Sequence, residues 1–131
     1  MELLFVALAL LTILLSSVVL FGAPYLPTLG KQVNTAIELL ELKKGQRLLE
    51  LGAGDGAVAL VALRRGLSVT AIELNPLLCV VIYFRTFRYR SKITIKCASF
   101  WTTGWGEYDG VYIFLLDKYM EKLDKKIIQE I

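Results

Sequence analysis

The apolar stretch from Gln46 to Leu51 runs directly into the glycine loop Gly52-Ala53-Gly54-Asp55-Gly56, and the loop runs into an alanine-rich stretch from Ala57 to Arg65. A short buried strand, a glycine loop and a helix in immediate succession form the junction at which a parallel α/β sheet presents its backbone to a ligand. Glycines there let the chain turn sharply and approach the ligand closely, because no β-carbon intervenes. The rest of the chain repeats the alternation. Leu67 to Ile72 reads as a second strand, and Asn75-Pro76 as a cap and first-turn pair opening an apolar helix to Tyr89. Ile93 to Cys97 and Gly110 to Leu116 read as strands three and four, and Met120, Leu123, Ile127 and Ile128 give a last helix its apolar stripe. Strands separated by helical crossovers predict an α/β domain with a parallel sheet.

Ahead of this domain, Leu3 to Phe21 carries no charge and approaches the ~20 residues that span a bilayer as a helix. The only charge before it is Glu2, and the run is longer than the apolar core of a signal peptide, so an uncleaved anchor is expected over residues 1–23 and the folded domain over 24–131. Lys31, Lys43, Lys44 and Arg47 follow the run. Positive residues stay on the cytoplasmic side, which predicts a single-pass membrane protein with its domain in the cytoplasm. Two prolines in GAPYLPT favour an extended link, Thr28 is placed to cap a helix from Leu29 to Leu42, and Gly45 is placed to stop it.

Histidine is absent from the whole sequence, which removes the serine and cysteine triads and every histidine-based metal site. Cys79 and Cys97 fall on an apolar helix and strand and read as buried, unpaired thiols. The net charge of +3 does not call for a nucleic-acid partner, and none is expected. Arg85, Arg88, Arg90, Lys92 and Lys96 form a local basic stretch that reads as a solvated helix end suited to acidic lipid headgroups.

Glu73 ends the second strand about 20 residues beyond the glycine loop, where an acid can take both hydroxyls of a ribose. Gly52, Gly54 and Ala57 also satisfy the loose dinucleotide pattern, so a nicotinamide-dependent oxidoreductase stays an alternative. Two acids weigh against it. Glu50 stands two residues before the first glycine at the end of a buried strand, and Asp55 lies among the loop amides. Carboxylates there suit a ligand that carries positive charge, such as the sulfonium and ammonium of S-adenosylmethionine, and not an anionic pyrophosphate.

In this order PYLPT, LLELGAGDG, IELNP, SFW and YIFLL resemble the small seven-strand protein lysine methyltransferases, a group including an archaeal broad-specificity enzyme and mitochondrial enzymes acting on the adenine nucleotide translocase and the ATP synthase c-subunit. The resemblance implies a Rossmann-like class I methyltransferase fold, S-adenosylmethionine as cofactor and a lysine on a protein, membrane proteins included, as substrate. It implies that Glu50, Gly52, Gly54 and Gly56 line the methionine end of the cofactor and Glu73 holds the ribose, with Ala53, Asp55 and Leu74 among the cofactor-binding residues. Tyr25 and Thr28 would close over it. Near the adenine the family usually has an aspartate, where this chain has Ser99 and Phe100 before Trp101. Related domains continue into three further strands, whereas this sequence stops at Ile131, so a C-terminally truncated domain with strand four as an open edge is expected. A membrane adaptor that keeps the fold without the activity is the remaining alternative. The sequence assigns no catalytic base and no metal.

Overall fold

The computed structural model describes residues 1–21, 30–115 and 117–130. Helix α1 covers Glu2–Phe21 and α2 covers Gly30–Leu39; then come β1 (Arg47–Leu51), α3 (Ala57–Arg64), β2 (Ser68–Glu73) and α4 (Pro76–Arg85). A 3-10 turn at Phe87–Tyr89 leads to β3 (Ile93–Cys97) and β4 (Gly110–Ile113), and a second at Asp117–Tyr119 leads to α5 (Met120–Glu130). The four strands form one sheet in the order β3-β2-β1-β4, every pair parallel. The expected α/β fold with a parallel sheet is what the chain adopts, and β4 is an edge strand.

Strand β1 lies between β2 and β4 and is covered on both faces, which is why every residue after Arg47 is buried and leucines stand on both faces. Side chains still alternate between faces. Leu48 of β1 and Val69 and Ala71 of β2 join a core with α2 and α3. Leu49, Leu51 and Ile72 pack on the other face with Phe100, Trp105 and Leu123. By the same alternation Glu50 shares a face with Leu48, and Glu73 shares that face with Val69 and Ala71. Two carboxylates thus come to the carboxyl tips of neighbouring strands on one side of the sheet.

Helix α3 ends as the sequence suggests. Gly66, at φ +84°, donates from its amide to the Leu63 carbonyl, and the Leu67 amide reaches the Ala62 carbonyl, the paired bonds of a glycine C-terminal cap. Elsewhere the expected boundaries shift. Helix α2 stops at Leu39 and not at Leu42, because Glu41 already takes a left-handed conformation. Helix α4 stops at Arg85, short of Tyr89; Thr86 returns both its amide and its hydroxyl to the Ile82 carbonyl, and a 3-10 turn follows. Strand β4 ends at Ile113 and not at Leu116, because its partner Leu51 is the last strand residue before β1 turns into the glycine loop. In α5 only Leu123 is buried, and Met120 and Ile128 are open. The cysteines are not the buried pair expected: Cys79 is half-buried and Cys97, on the outer strand β3, is exposed.

Among the described residues no helix is long and apolar enough to cross a membrane. Helix α1 runs Glu2–Phe21. The structure therefore does not establish the expected membrane-spanning helix. Residues 22–29, with the proline link and the expected Thr28 cap, lie outside the described residues.

Candidate functional site

At the end of β1 the chain folds back onto β2: the amides of Gly52 and Ala53 both donate to the Ile72 carbonyl, at 2.8 and 3.0 Å. Gly52 takes φ +71°, a conformation that residues with a β-carbon rarely adopt, and this lets the loop lie against the Phe100 ring. Glu73, at the tip of β2, then joins two loops. One carboxylate oxygen accepts from the Gly54 amide at 2.7 Å and the other from the Asn75 amide at 2.9 Å. Each oxygen keeps a lone pair for a further donor. Asn75 passes the constraint on, its side-chain oxygen accepting from the Leu77 amide at the opening of α4. The start of α4 is thereby tied to the glycine loop through one acid.

Glu50 is the opposite case. It is buried, and its Oε2 has no hydrogen-bond partner. Burial first, and then the nearby carboxylates of Glu73 and Asp55, push its pKa up to about 8, against the Ala59 amide, which works the other way. An acid with an unsatisfied oxygen at a strand tip is costly to the free protein, and a cationic group is what would relieve it.

Asp55, close enough to Glu50 to raise its pKa, has both carboxylate oxygens engaged. Its Oδ1 caps the Ala57 amide at 3.1 Å, and its Oδ2 pairs with the Arg85 guanidinium at 2.9 Å, near the end of α4. Ser99 is also spent locally: its hydroxyl accepts from the Trp101 amide, and its carbonyl accepts from the Thr103 amide and hydroxyl. Phe100 is buried and offers its ring edge to Gly52. Leu74 is half-buried, and its backbone carbonyl lies 3.9 Å from the Cys97 sulfur. The structure thus brings Glu50, Gly52, Ala53, Gly54, Gly56, Glu73, Leu74 and Phe100 to one end of the sheet. It also pairs the Asp55 carboxylate with Arg85 and the Ser99 hydroxyl with the Trp101 amide. Tyr25 and Thr28 lie outside the described residues.

Three residues of this end are not singled out as site residues by the sequence. Asn75 reads only as a helix cap, yet its amide also fixes Glu73. Arg85 reads as part of a basic stretch, but one of its nitrogens belongs to Asp55. The Cys79 thiol donates to the Glu73 carbonyl at 3.3 Å, and its pKa is pushed up to about 12, chiefly by burial. The spacing of Asp55 and Arg85, thirty residues apart in sequence, carries no signal of their contact.

The arrangement fits a ligand with two ends of different character: a cation beside Glu50, and hydroxyls beside Glu73. A pyrophosphate would bring negative charge against two carboxylates and does not fit. Among the described residues no group of acids and cysteines could hold a metal.

Comparison with known proteins points the same way. Residues 50–131 match a family described as the ANTKMT methyltransferase domain. The chain is 28% identical over 110 residues to the human lysine N-methyltransferase of the ATP synthase c-subunit, covering 82% of this chain and 47% of that protein. With the Xenopus laevis protein of the same name it shares 29% over 110 residues, 82% of this chain and 48% of the relative. The chain therefore spans about half the length of these curated relatives. An RNA methyltransferase from Salinibacter ruber, solved with S-adenosyl-L-homocysteine, superposes with a TM-score of 0.75 at 21% identity, over 80% of this chain and 71% of that one; at that identity the likeness speaks for the fold.

Proposed function

Because the chain belongs to the ANTKMT methyltransferase domain family, we propose that it is an S-adenosylmethionine-dependent methyltransferase that methylates a lysine side chain on a protein. The observation that carries this reading is Glu50, a buried carboxylate with an unpartnered oxygen at the tip of β1. In the proposed complex Glu50 meets the ammonium of the methionine end, and the backbone of Gly52, Ala53, Gly54 and Gly56 lies along it. Glu73, already oriented by the Gly54 and Asn75 amides, takes the ribose hydroxyls. Leu74 and Phe100 give the adenosine end apolar surface, and Ser99 and Asp55 act by shaping their loops.

The cofactor, when bound, supplies an electrophilic methyl group on a sulfonium. What this chain contributes is position and dryness. Methyl transfer needs a nucleophile held in line and water kept away, and it requires no covalent protein intermediate, which suits a site without histidine. A lysine substrate must lose its proton first, and an apolar approach next to positive charge lowers the pKa of an amine. The names of the relatives suggest that the substrate lysine belongs to one component of a larger protein assembly.

Helix α1 is proposed to anchor the protein in a bilayer once, with the domain on the cytoplasmic side, where the lysines after the anchor are retained. Its twenty residues amount to ~30 Å of helix, and its only charge is Glu2. Protease protection in sealed vesicles tests this: digestion of the domain from the lumenal side overturns the orientation, and release of the chain by carbonate overturns the span.

Calorimetric titration tests the cofactor. The full chain is expected to bind S-adenosylhomocysteine in the micromolar range and NAD far more weakly; tighter binding of NAD overturns the proposal.

A further inference from the structure

Helix α4 has the sequence PLLCVVIYFR, apolar except for its last residue, yet Ile82 is its only buried side chain. A helix that is apolar all round is normally enclosed. Here Val80, Tyr83 and Phe84 are open, Phe84 to 70%, and Phe87 of the following turn is open beside them. The aromatic rings support one another edge to face, with Tyr83 at 5.5 Å from Phe84 and 5.9 Å from Phe87. The Arg90 guanidinium lies over the Phe87 ring at 4.6 Å.

The charge along this part of the chain is largely of one sign, although Arg65 and Arg85 are paired with Glu38 and Asp55. From Ala57 to Cys97 the sequence holds seven arginines and lysines and a single acid, Glu73, which is buried at the sheet tip. Arg88 and Arg90 are exposed beside Phe87, and no hydrogen bond or ion pair to an acid occupies them among the described residues.

We propose that the outer face of α4 and the Phe87–Tyr89 turn rest on an anionic lipid bilayer, with Phe84 and Phe87 in the headgroup boundary and Arg88 and Arg90 on lipid phosphates. Open aromatic and aliphatic side chains bordered by basic ones are the pattern of an interfacial helix, whose binding adds apolar burial to attraction for acidic lipids. A protein partner would need acids placed in register with Arg88 and Arg90, whereas lipid phosphates meet them in any register. Phe84, Phe87 and Arg88 also line a cavity of about 460 Å³ with Leu60, Arg64 and Arg85, whose basic wall suits a phosphate. The proposal is independent of the methyltransferase reading, since no residue of this face takes part in the cofactor site.

The experiment is amide hydrogen exchange of the full chain in nanodiscs of pure phosphatidylcholine and in nanodiscs containing phosphatidylglycerol. The expected result is several-fold slower exchange over residues 77–90 in the anionic discs, relieved by salt. Arg88→Gln with Arg90→Gln is expected to return it towards the neutral-lipid rate, since each basic side chain near an acidic surface contributes roughly fivefold. Phe84→Ser with Phe87→Ser should do the same, with S-adenosylhomocysteine binding unchanged in both variants. Equal exchange in the two lipids overturns the proposal, as does slowing that survives both double substitutions. Slow exchange already present in neutral discs and released by the phenylalanine substitutions also overturns it, because a second copy or another protein surface then covers the face.

Discussion

Helices α3 and α4 are made of similar material, AVALVALR and PLLCVVIYFR, and each follows a strand of the same parallel sheet, yet they are used in opposite ways. In α3 four side chains are buried, Val58, Ala59, Ala62 and Leu63, because the helix lies between the sheet and α2. In α4, which packs on the outer strand β3 and its neighbour β2, only Ile82 is buried. Apolar composition supplies the demand for cover, and the neighbours decide whether the domain meets it. Both helices nevertheless open at the site. The Ala59 amide in the first turn of α3 works to lower the pKa of Glu50, and the start of α4 is held to Glu73 through Asn75.

The contrast is most directly broken inside α3. Leu63→Ala removes a buried side chain from a packed core and is expected to cost about 2–5 kcal/mol of folding stability. Chemical denaturation measures it, and a loss near that of a surface substitution would mean α3 is not the covered helix described.

Next comes the site that the two helices share. Glu50→Gln is expected to weaken S-adenosylhomocysteine about ten- to a hundred-fold, the loss of a charge-assisted contact, while adenosine, which has no ammonium, binds as before. Glu73→Ala should weaken both ligands, and it also frees the Gly54 and Asn75 amides, so a lower melting temperature accompanies it. Parallel loss of both ligands in Glu50→Gln would make Glu50 a structural carboxylate. The pH dependence follows from its pKa of about 8 against 4.5 for an unperturbed glutamate. Between those values the unfolded chain has released a proton that the folded chain keeps. The stability of the ligand-free protein therefore falls as pH rises from 4.5 towards 8, and this slope is absent in Glu50→Gln. Affinity for a cationic ligand moves the other way over the same window, because binding requires the ionised acid. Thermal melting and titration at several pH values separate the two trends.

A smaller effect belongs to the opening of α4. Asn75→Ala removes the cap on the Leu77 amide and is expected to cost about 1 kcal/mol. Thermal or chemical denaturation reads it directly. Smallest is Phe84→Ser in bilayer-free solution, within about 0.5 kcal/mol, since the side chain is open. If Phe84→Ser destabilises the isolated protein as Leu63→Ala does, part of the chain already covers α4, and the difference between the two helices disappears.

Much of this architecture is legible along the chain. RLLEL before GAGDG, a second strand ending in Glu73, and Asn-Pro opening α4 each announce themselves through local chemistry: leucines on both faces, glycine, an N-terminal cap. Apart from the left-handed Glu41 that stops α2, the features that depart from expectation depend on a partner. Strand β4 ends where Leu51 ceases to pair, and α4 ends where Thr86 turns back to Ile82. Cys97 reads as buried because ITIKC is largely apolar, but β3 is an outer strand. The pairing of Asp55 with Arg85, thirty residues on, is visible only in the fold.

By itself the sequence determines the order of strands and helices, the glycine loop and the two acids at strand ends, since these follow from periodicity and from backbone conformations that few residues allow. The tertiary structure decides which acid is satisfied. Alternation places Glu50 and Glu73 on one face, but the returning loops deliver two amides to Glu73 and leave an oxygen of Glu50 without a partner. That difference comes from residues brought together across the fold, because the cost of burying a charge depends on the donors within reach and not on the residue's own chemistry.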